Sequence, residues 1–318
     1  MKISDGEFKS SNNEYTVKYC VYTPDDSPRA IVQIVHGMCE YFERYDPIAR
    51  FLCSKGYVVC GHDHIGHGHS VPSDDDLGFF AEKDGDKYVV ADVGKMRDIM
   101  REKYRSLPYI LIGHSFGSFV SRAFVATHPD AVDALILSGT AGQKQPVGAG
   151  SALCKIISAF KGKRYRSKLV SSIAFAGYNK RFEGNTGAEW VTSDPEMLAK
   201  YASDKYCTYT FTLQAYRDMF ALIKFIQSKE WYESMPKNLP IFVIAGENDP
   251  VSAYCKGITI LVEKLKEAGV SDLEYKIYSG ERHELFTGLR REEAFGDVAE
   301  WIDEKVSSIN AARTQSVK

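Results

Sequence analysis

Short runs of apolar and β-branched residues recur along the chain. Between them lie longer segments whose apolar residues return every three or four positions. The runs are Tyr15 to Tyr22, Ala30 to Val35, Tyr57 to Gly61, Tyr109 to Ile112, Ala134 to Leu137, Ile241 to Ala245 and Leu273 to Tyr278. Several show no polar alternation, the pattern of a strand buried on both faces. The intervening segments carry helical spacing. Val89, Val90, Val93, Met96, Ile99 and Met100 form one set, Phe116, Val120, Ala123 and Phe124 a second. Ala294, Phe295, Val298, Trp301 and Ile302 form a third. Strand–helix alternation of this kind predicts an α/β fold, with a mostly parallel sheet and helices on both faces. The hairpin-like runs before residue 35 are expected to pair antiparallel.

The rhythm breaks between about Thr140 and Pro236. That stretch holds helical patterns and many aromatics, among them Trp190, Tyr201, Tyr209, Phe211, Tyr216 and Phe220, but no clear buried strand. It reads as a helical cap over residues 140–236, inserted between two parts of one core, residues 1–139 and 237–318.

Charge and composition narrow the function classes. A formal net charge of −2 over 318 residues gives no global basic field for nucleic acid. No apolar stretch approaches the roughly 18 residues of a membrane span. The N-terminal Met1-Lys2-Ile3-Ser4-Asp5-Gly6 lacks the apolar core of a signal peptide. Seven scattered cysteines, with no CxxC pair, read as reduced thiols. These features together suggest a cytoplasmic protein. The sequence leaves the oligomeric state open.

The candidate chemistry starts at Gly113-His114-Ser115-Phe116-Gly117, a G-x-S-x-G pentapeptide. By chance alone, a chain of this composition is expected to carry about 0.1 to 0.2 of them, so the pattern is weak by itself. Its setting strengthens it: the run Tyr109 to Ile112 precedes it and a helical pattern follows. Gly113 and Gly117 supply the small neighbours that a strained strand-to-helix turn needs. A serine nucleophile requires a base and an orienting acid, in chain order Ser, acid, His. Of eight histidines, only His283 lies beyond residue 128, on a loop after the last run. Asp249 leaves the end of the run Ile241 to Ala245 and is the expected acid. Glu247 is its competitor, and Asp272 lies at the wrong end of a strand. The oxyanion hole is expected from the backbone N–H groups of Phe116 and of Met38, in the His36-Gly37-Met38 turn.

These residues together resemble the monoacylglycerol lipase and bacterial lysophospholipase branch of the α/β-hydrolase superfamily, over about residues 15 to 308. The matching segments are His36-Gly37 with Glu40 and Arg44-Tyr45, Asp63 to Ser70, the Gly113–Gly117 elbow, Leu137-Ser138-Gly139, Asp249-Pro250-Val251 and Arg282-His283-Glu284. Trp190 to Pro195 and Tyr201 to Asp204 match within the cap. The resemblance implies an eight-stranded sheet, a helical cap and cofactor-independent hydrolysis of carboxylic esters, with monoacylglycerols or lysophospholipids as substrates. It also implies Ser115, Asp249 and His283 as the triad, with Met38 and Phe116 as oxyanion donors and His36, Gly37, Gly113, His114 and Gly117 in support. Met38 departs from the small residue common at that position of the branch.

Three rival readings stand beside this one. An S33-type iminopeptidase would need cap carboxylates near the site, and Glu183, Glu189 and Asp194 are available. A metal-dependent hydrolase would use His62, His64, His67 and His69, although no second carboxylate set accompanies Asp63 and no metal is expected. A non-catalytic relative would not be expected to keep Ser115, Asp249 and His283 together. Finally, Leu153, Ile156, Ile157 and Phe160 form an apolar helix face beside Lys161, Lys163, Arg164, Arg166 and Lys168. That face suggests either core packing or peripheral contact of the cap with a membrane surface.

Overall fold

The computed structural model describes residues 1–315. Eight strands form one sheet: β1 (Lys2–Lys9), β2 (Thr16–Thr23), β3 (Ala30–Val35), β4 (Tyr57–His62), β5 (Tyr109–His114), β6 (Ala134–Ser138), β7 (Ile241–Gly246) and β8 (Leu273–Tyr278). Their spatial order is β1-β2-β4-β3-β5-β6-β7-β8. β1 pairs antiparallel with β2, and β2 antiparallel with β4. Every other pairing is parallel.

The unalternating runs have a simple cause. Ile31, Leu111, Leu135 and Val243 face one hydrophobic core, while Val32, Ile110, Ile136 and Phe242 face another on the opposite side. Period-2 geometry sends successive side chains to opposite faces, and here both faces are covered. On the first side lie α2 (Gly85–Lys103), α3 (Phe116–Thr127) and α9 (Lys256–Glu267), through Val93, Met96, Val120, Phe124 and Leu261. On the second lie α1 (Asp46–Ser54) and α10 (Arg291–Gln315), through Ile48, Leu52, Phe295, Val298 and Ile302.

β1 has no counterpart among the seven runs read from the sequence. Its residues, Lys-Ile-Ser-Asp-Gly-Glu-Phe-Lys, are exposed or half-buried. An edge strand with no buried face needs no apolar run, and its charges discourage pairing with other chains.

Between β6 and β7 stand five helices: α4 (Val147–Lys161), α5 (Lys168–Ala174), α6 (Pro195–Ser203), α7 (Leu213–Ile226) and α8 (Lys229–Ser234). Arg122 of α3 fastens this segment to the core. Its guanidinium is buried and donates to Ala141 O at 2.7 Å and Ile226 O at 2.9 Å, beneath the Trp231 ring.

Candidate active site

The parallel strands β3, β5, β6, β7 and β8 run side by side with their C-terminal ends aligned. Val35 pairs with Gly113, His114 with Ser138, Ser138 with Ile244, and Gly246 with Tyr278. Loops leaving these ends therefore converge on one crevice, the usual ligand position of an open α/β sheet.

Ser115 occupies the turn between β5 and α3, with φ 51° and ψ −120°. This is a strained backbone for a residue with a Cβ, and it must be held from both sides. Ser115 N–H donates to Ser138 O at 2.9 Å, and Ser118 N–H donates back to Ser115 O at 2.9 Å. A Cβ on Gly117 would strike the Val35 and His36 carbonyl oxygens, so the α3 backbone reaches the turn only as glycine.

His283 Nε2 lies 2.8 Å from Ser115 Oγ, and its Nδ1 lies 3.0 Å from Asp249 Oδ1. The Asp249 side chain is fully buried, and the same oxygen accepts the Val251 N–H at 2.8 Å. The His283 ring packs between the rings of His114, at 4.8 Å, and Trp190, at 5.1 Å. Burial pulls the His283 pKa down, but the charge of Asp249 and its hydrogen bond, with help from Glu284 and Glu40, raise it on balance. Such an imidazole is a competent base that holds its proton well once it has taken one. Glu247, the competing acid, instead accepts from Ser279 Oγ and Gly280 N–H. Asp272 pairs with Lys305, away from the crevice.

Phe116 is the first residue of α3, so its N–H has no intrahelical acceptor. Met38 lines the same cavity, beside the turn led by His36 and Gly37. Glu40 accepts the Gly37 N–H. His36 Nδ1 lies 2.8 Å from Gly37 O, and His36 Nε2 accepts the His64 N–H at 2.9 Å. Burial keeps that ring neutral, with a pKa lowered to about 4.

The cavity over Ser115 has a volume of about 570 Å³. Met38, Phe116, Leu153, Val170, Trp190 and Phe220 give it a mainly apolar wall. The carboxylates named for the peptidase reading do not face it. Glu183 is exposed, Glu189 is held by Asn179 and Thr186, and Asp194 caps α6 and pairs with Arg291. Glu40 and Glu284 do reach the wall, but both bind Arg44.

His62, His64 and His67 are buried, and their rings pack against one another and against Phe8, Phe80 and Phe116. His69 sits half-exposed on Asp63. Among the described residues no group of three or more His, Cys, Asp or Glu converges as a metal site would.

Residues 26–289 match the family described as serine aminopeptidase, S33. The chain belongs to the serine aminopeptidase S33 family. Within the α/β-hydrolase superfamily this S33 chain lies on the branch that holds the monoacylglycerol lipases. It is 28% identical to a monoacylglycerol lipase of Mycolicibacterium smegmatis, over 90% of this chain and 92% of that protein. It is 26% identical to the monoglyceride lipase of Homo sapiens, over 92% of this chain and 89% of that protein. Among solved structures, a thermostable carboxyl esterase from Bacillus coagulans in complex with glycerol superposes with a TM-score of 0.89 at 30% identity, covering 96% of this chain and 99% of that one.

Two features of the S33 chain's site were illegible as site residues in the sequence. Trp190 entered as one aromatic among many and as part of a cap segment matching the family pattern, with nothing to place it against His283. Arg44 and Glu284 entered only as matches to a family pattern. They lie 240 positions apart, and no local signal announces that they meet.

Proposed function

We propose that this protein hydrolyses carboxylic esters of single-chain lipids, monoacylglycerols foremost, through an acyl-enzyme formed on Ser115. The observation that carries the reading is the continuous hydrogen-bonded run Asp249–His283–Ser115 opening into an apolar cavity. The lipase and esterase names of the relatives point the same way.

His283 Nε2 takes the hydroxyl proton as Ser115 Oγ attacks the ester carbonyl carbon. Asp249 keeps the Nδ1–H tautomer and stabilises the imidazolium. The N–H groups of Met38 and Phe116 hold the oxyanion, aided by the N-terminus of α3. As the tetrahedral intermediate collapses, the ester C–O bond breaks and His283 gives its proton to the departing alcohol. Water then attacks the acyl-enzyme, with His283 taking its proton, and the fatty acid leaves as Ser115 recovers its hydrogen.

In this reading residues 140–236 act as the cap. Its helices α4 and α5 line the cavity through Leu153, Val170 and Ile173 and turn Ile156, Phe160 and Leu169 outward. The apolar stripe of α4 is split: Leu153 and Ile157 pack against the core, while Phe160 is 84% exposed and Ile156 61% exposed. The basic cluster beside it is partly neutralised, since Lys163 and Arg164 pair with Glu82 and Asp76. The apolar face therefore carries the proposed contact with a lipid surface, where the substrate resides. No described helix is long and apolar enough to cross a membrane.

The deciding experiment is Ser115→Ala, assayed on a monoacylglycerol and by labelling with a fluorophosphonate probe. Both signals are expected to vanish while the fold persists. Retained labelling sinks the assignment. Aminoacyl amides run in parallel test the peptidase alternative.

A further inference from the structure

Beneath the crevice lies a buried ionic bridge that the hydrolytic steps do not use. Arg44 Nη1 donates to Glu40 Oε2 at 2.6 Å and to Glu284 Oε1 at 2.8 Å, while its Nη2 donates to Glu284 Oε2 at 2.7 Å. The side-chain exposures are 10% for Arg44, 4% for Glu40 and 8% for Glu284. The remaining oxygen sites are also taken. Glu40 Oε1 accepts the Gly37 N–H and the Tyr45 hydroxyl, the latter at 2.7 Å. Glu284 Oε2 accepts the Thr287 hydroxyl at 2.7 Å, and the Glu284 N–H donates to Val191 O at 2.7 Å.

The ends of this bridge are what give it meaning. Glu40 grips Gly37, the residue before Met38. Glu284 is the residue after His283. We propose that Arg44 is a positioning residue that locks the oxyanion turn to the His283 loop, so that the Met38 N–H and the His283 imidazole keep one spacing about Ser115. This inference rests on the ester-hydrolase reading above.

Three physical arguments support it. The two loops follow different strands, and the bridge spans 240 residues of sequence, so no local backbone geometry fixes their separation. A guanidinium can hold two carboxylates in a plane through its fork, which a lysine cannot. The bridge is also expensive to bury, and an apolar triplet of similar volume would serve stability equally well or better. Its directional bonds are what an apolar triplet could not supply.

The bridge also acts electrostatically. Asp249, Glu284 and Glu40 act on the His283 imidazole, and His114, which feels the charges of Glu284 and Arg44, packs on its ring. Glu284 and Glu40 both favour the imidazolium, after Asp249.

The test is a double-mutant cycle on kcat with the full chain and a short, soluble p-nitrophenyl ester. The variants are Glu40→Gln, Glu284→Gln and both together, which keep side-chain shape. Each single change is expected to lower kcat between about 10- and 100-fold, the loss that a misplacement near 1 Å brings, with KM within about twofold. The double variant is expected to fall no further than the weaker single, because the bridge is already open. Glu284→Gln is also expected to move the acid limb of the kcat/KM profile to lower pH. Arg44→Lys keeps the charge but loses the fork. It is expected to lose kcat similarly while retaining the position of that limb. Multiplicative losses in the double variant, wild-type kcat in Arg44→Lys, or losses that track the thermal midpoint with an unmoved pH profile would overturn the inference. Ser115→Ala serves as control: if it still turns the ester over, the reading of an acyl-enzyme on Ser115 falls, and if it is inert while the losses multiply, only the bridge falls.

Discussion

His62 is a buried histidine, and among the described residues neither of its ring nitrogens finds a hydrogen-bond partner. It ends β4, between the rings of Phe8, at 5.9 Å, and His64, at 5.3 Å. Burial, with a smaller push from His36, lowers its pKa from 6.5 to about 3. The folded protein therefore keeps this ring neutral at a pH where the unfolded chain protonates it. Stability is fully present above about pH 6.5, is lost as the pH falls below that value, and stops falling near pH 3. At about pH 5 the loss from this one ring is about 2 kcal/mol relative to about pH 8. His62→Phe removes the titration and also the two unpaired nitrogens. Its packing effect, of either sign, is the same at both pH values. Urea unfolding of the two proteins at about pH 8 and about pH 5 isolates the titration. The variant is expected to gain about 2 kcal/mol on the wild type between the two conditions. A difference that stays constant within about 0.5 kcal/mol, near the precision of such extrapolations, refutes the reasoning.

Other outcomes follow from the same geometry. Because Asp249 and its neighbours raise the His283 pKa, the acid limb of kcat/KM on a soluble ester is expected to have its midpoint above 6.5. The activity requires the neutral ring, so it is lost as the pH falls through that midpoint. Asp249→Asn is expected to lower kcat by about 10⁴-fold with the fold intact, since the amide favours the wrong imidazole tautomer; steady-state kinetics and circular dichroism check it. Gly117→Ala should abolish fluorophosphonate labelling, because its Cβ collides with the Val35 and His36 carbonyls and displaces the turn at Ser115. Replacing Ile156 and Phe160 together by serine should reduce co-sedimentation with lipid vesicles while hydrolysis of a short soluble ester stays within about twofold, as expected for surface changes away from the chemistry.

The sequence by itself determined the alternation of buried strands and amphipathic helices, because a strand covered on both faces must be apolar throughout. It also carried the setting of the proposed nucleophile, since a strained turn admits only glycine at Gly117, and the chain order of Ser115, Asp249 and His283, which the fold brings into one hydrogen-bonded run. It could not announce β1, whose edge position demands no apolar pattern. The face of α4 was ambiguous, because helical spacing is the same whether the stripe meets a core or a solvent. Ile156 and Phe160 point outward, and tertiary packing alone decided that. The meeting of Arg44 with Glu284 and the packing of Trp190 against His283 were likewise decided by the fold. Chain distance carries no information about which loops share one end of a sheet. That follows from strand order, and strand order is set by which faces the helices must cover.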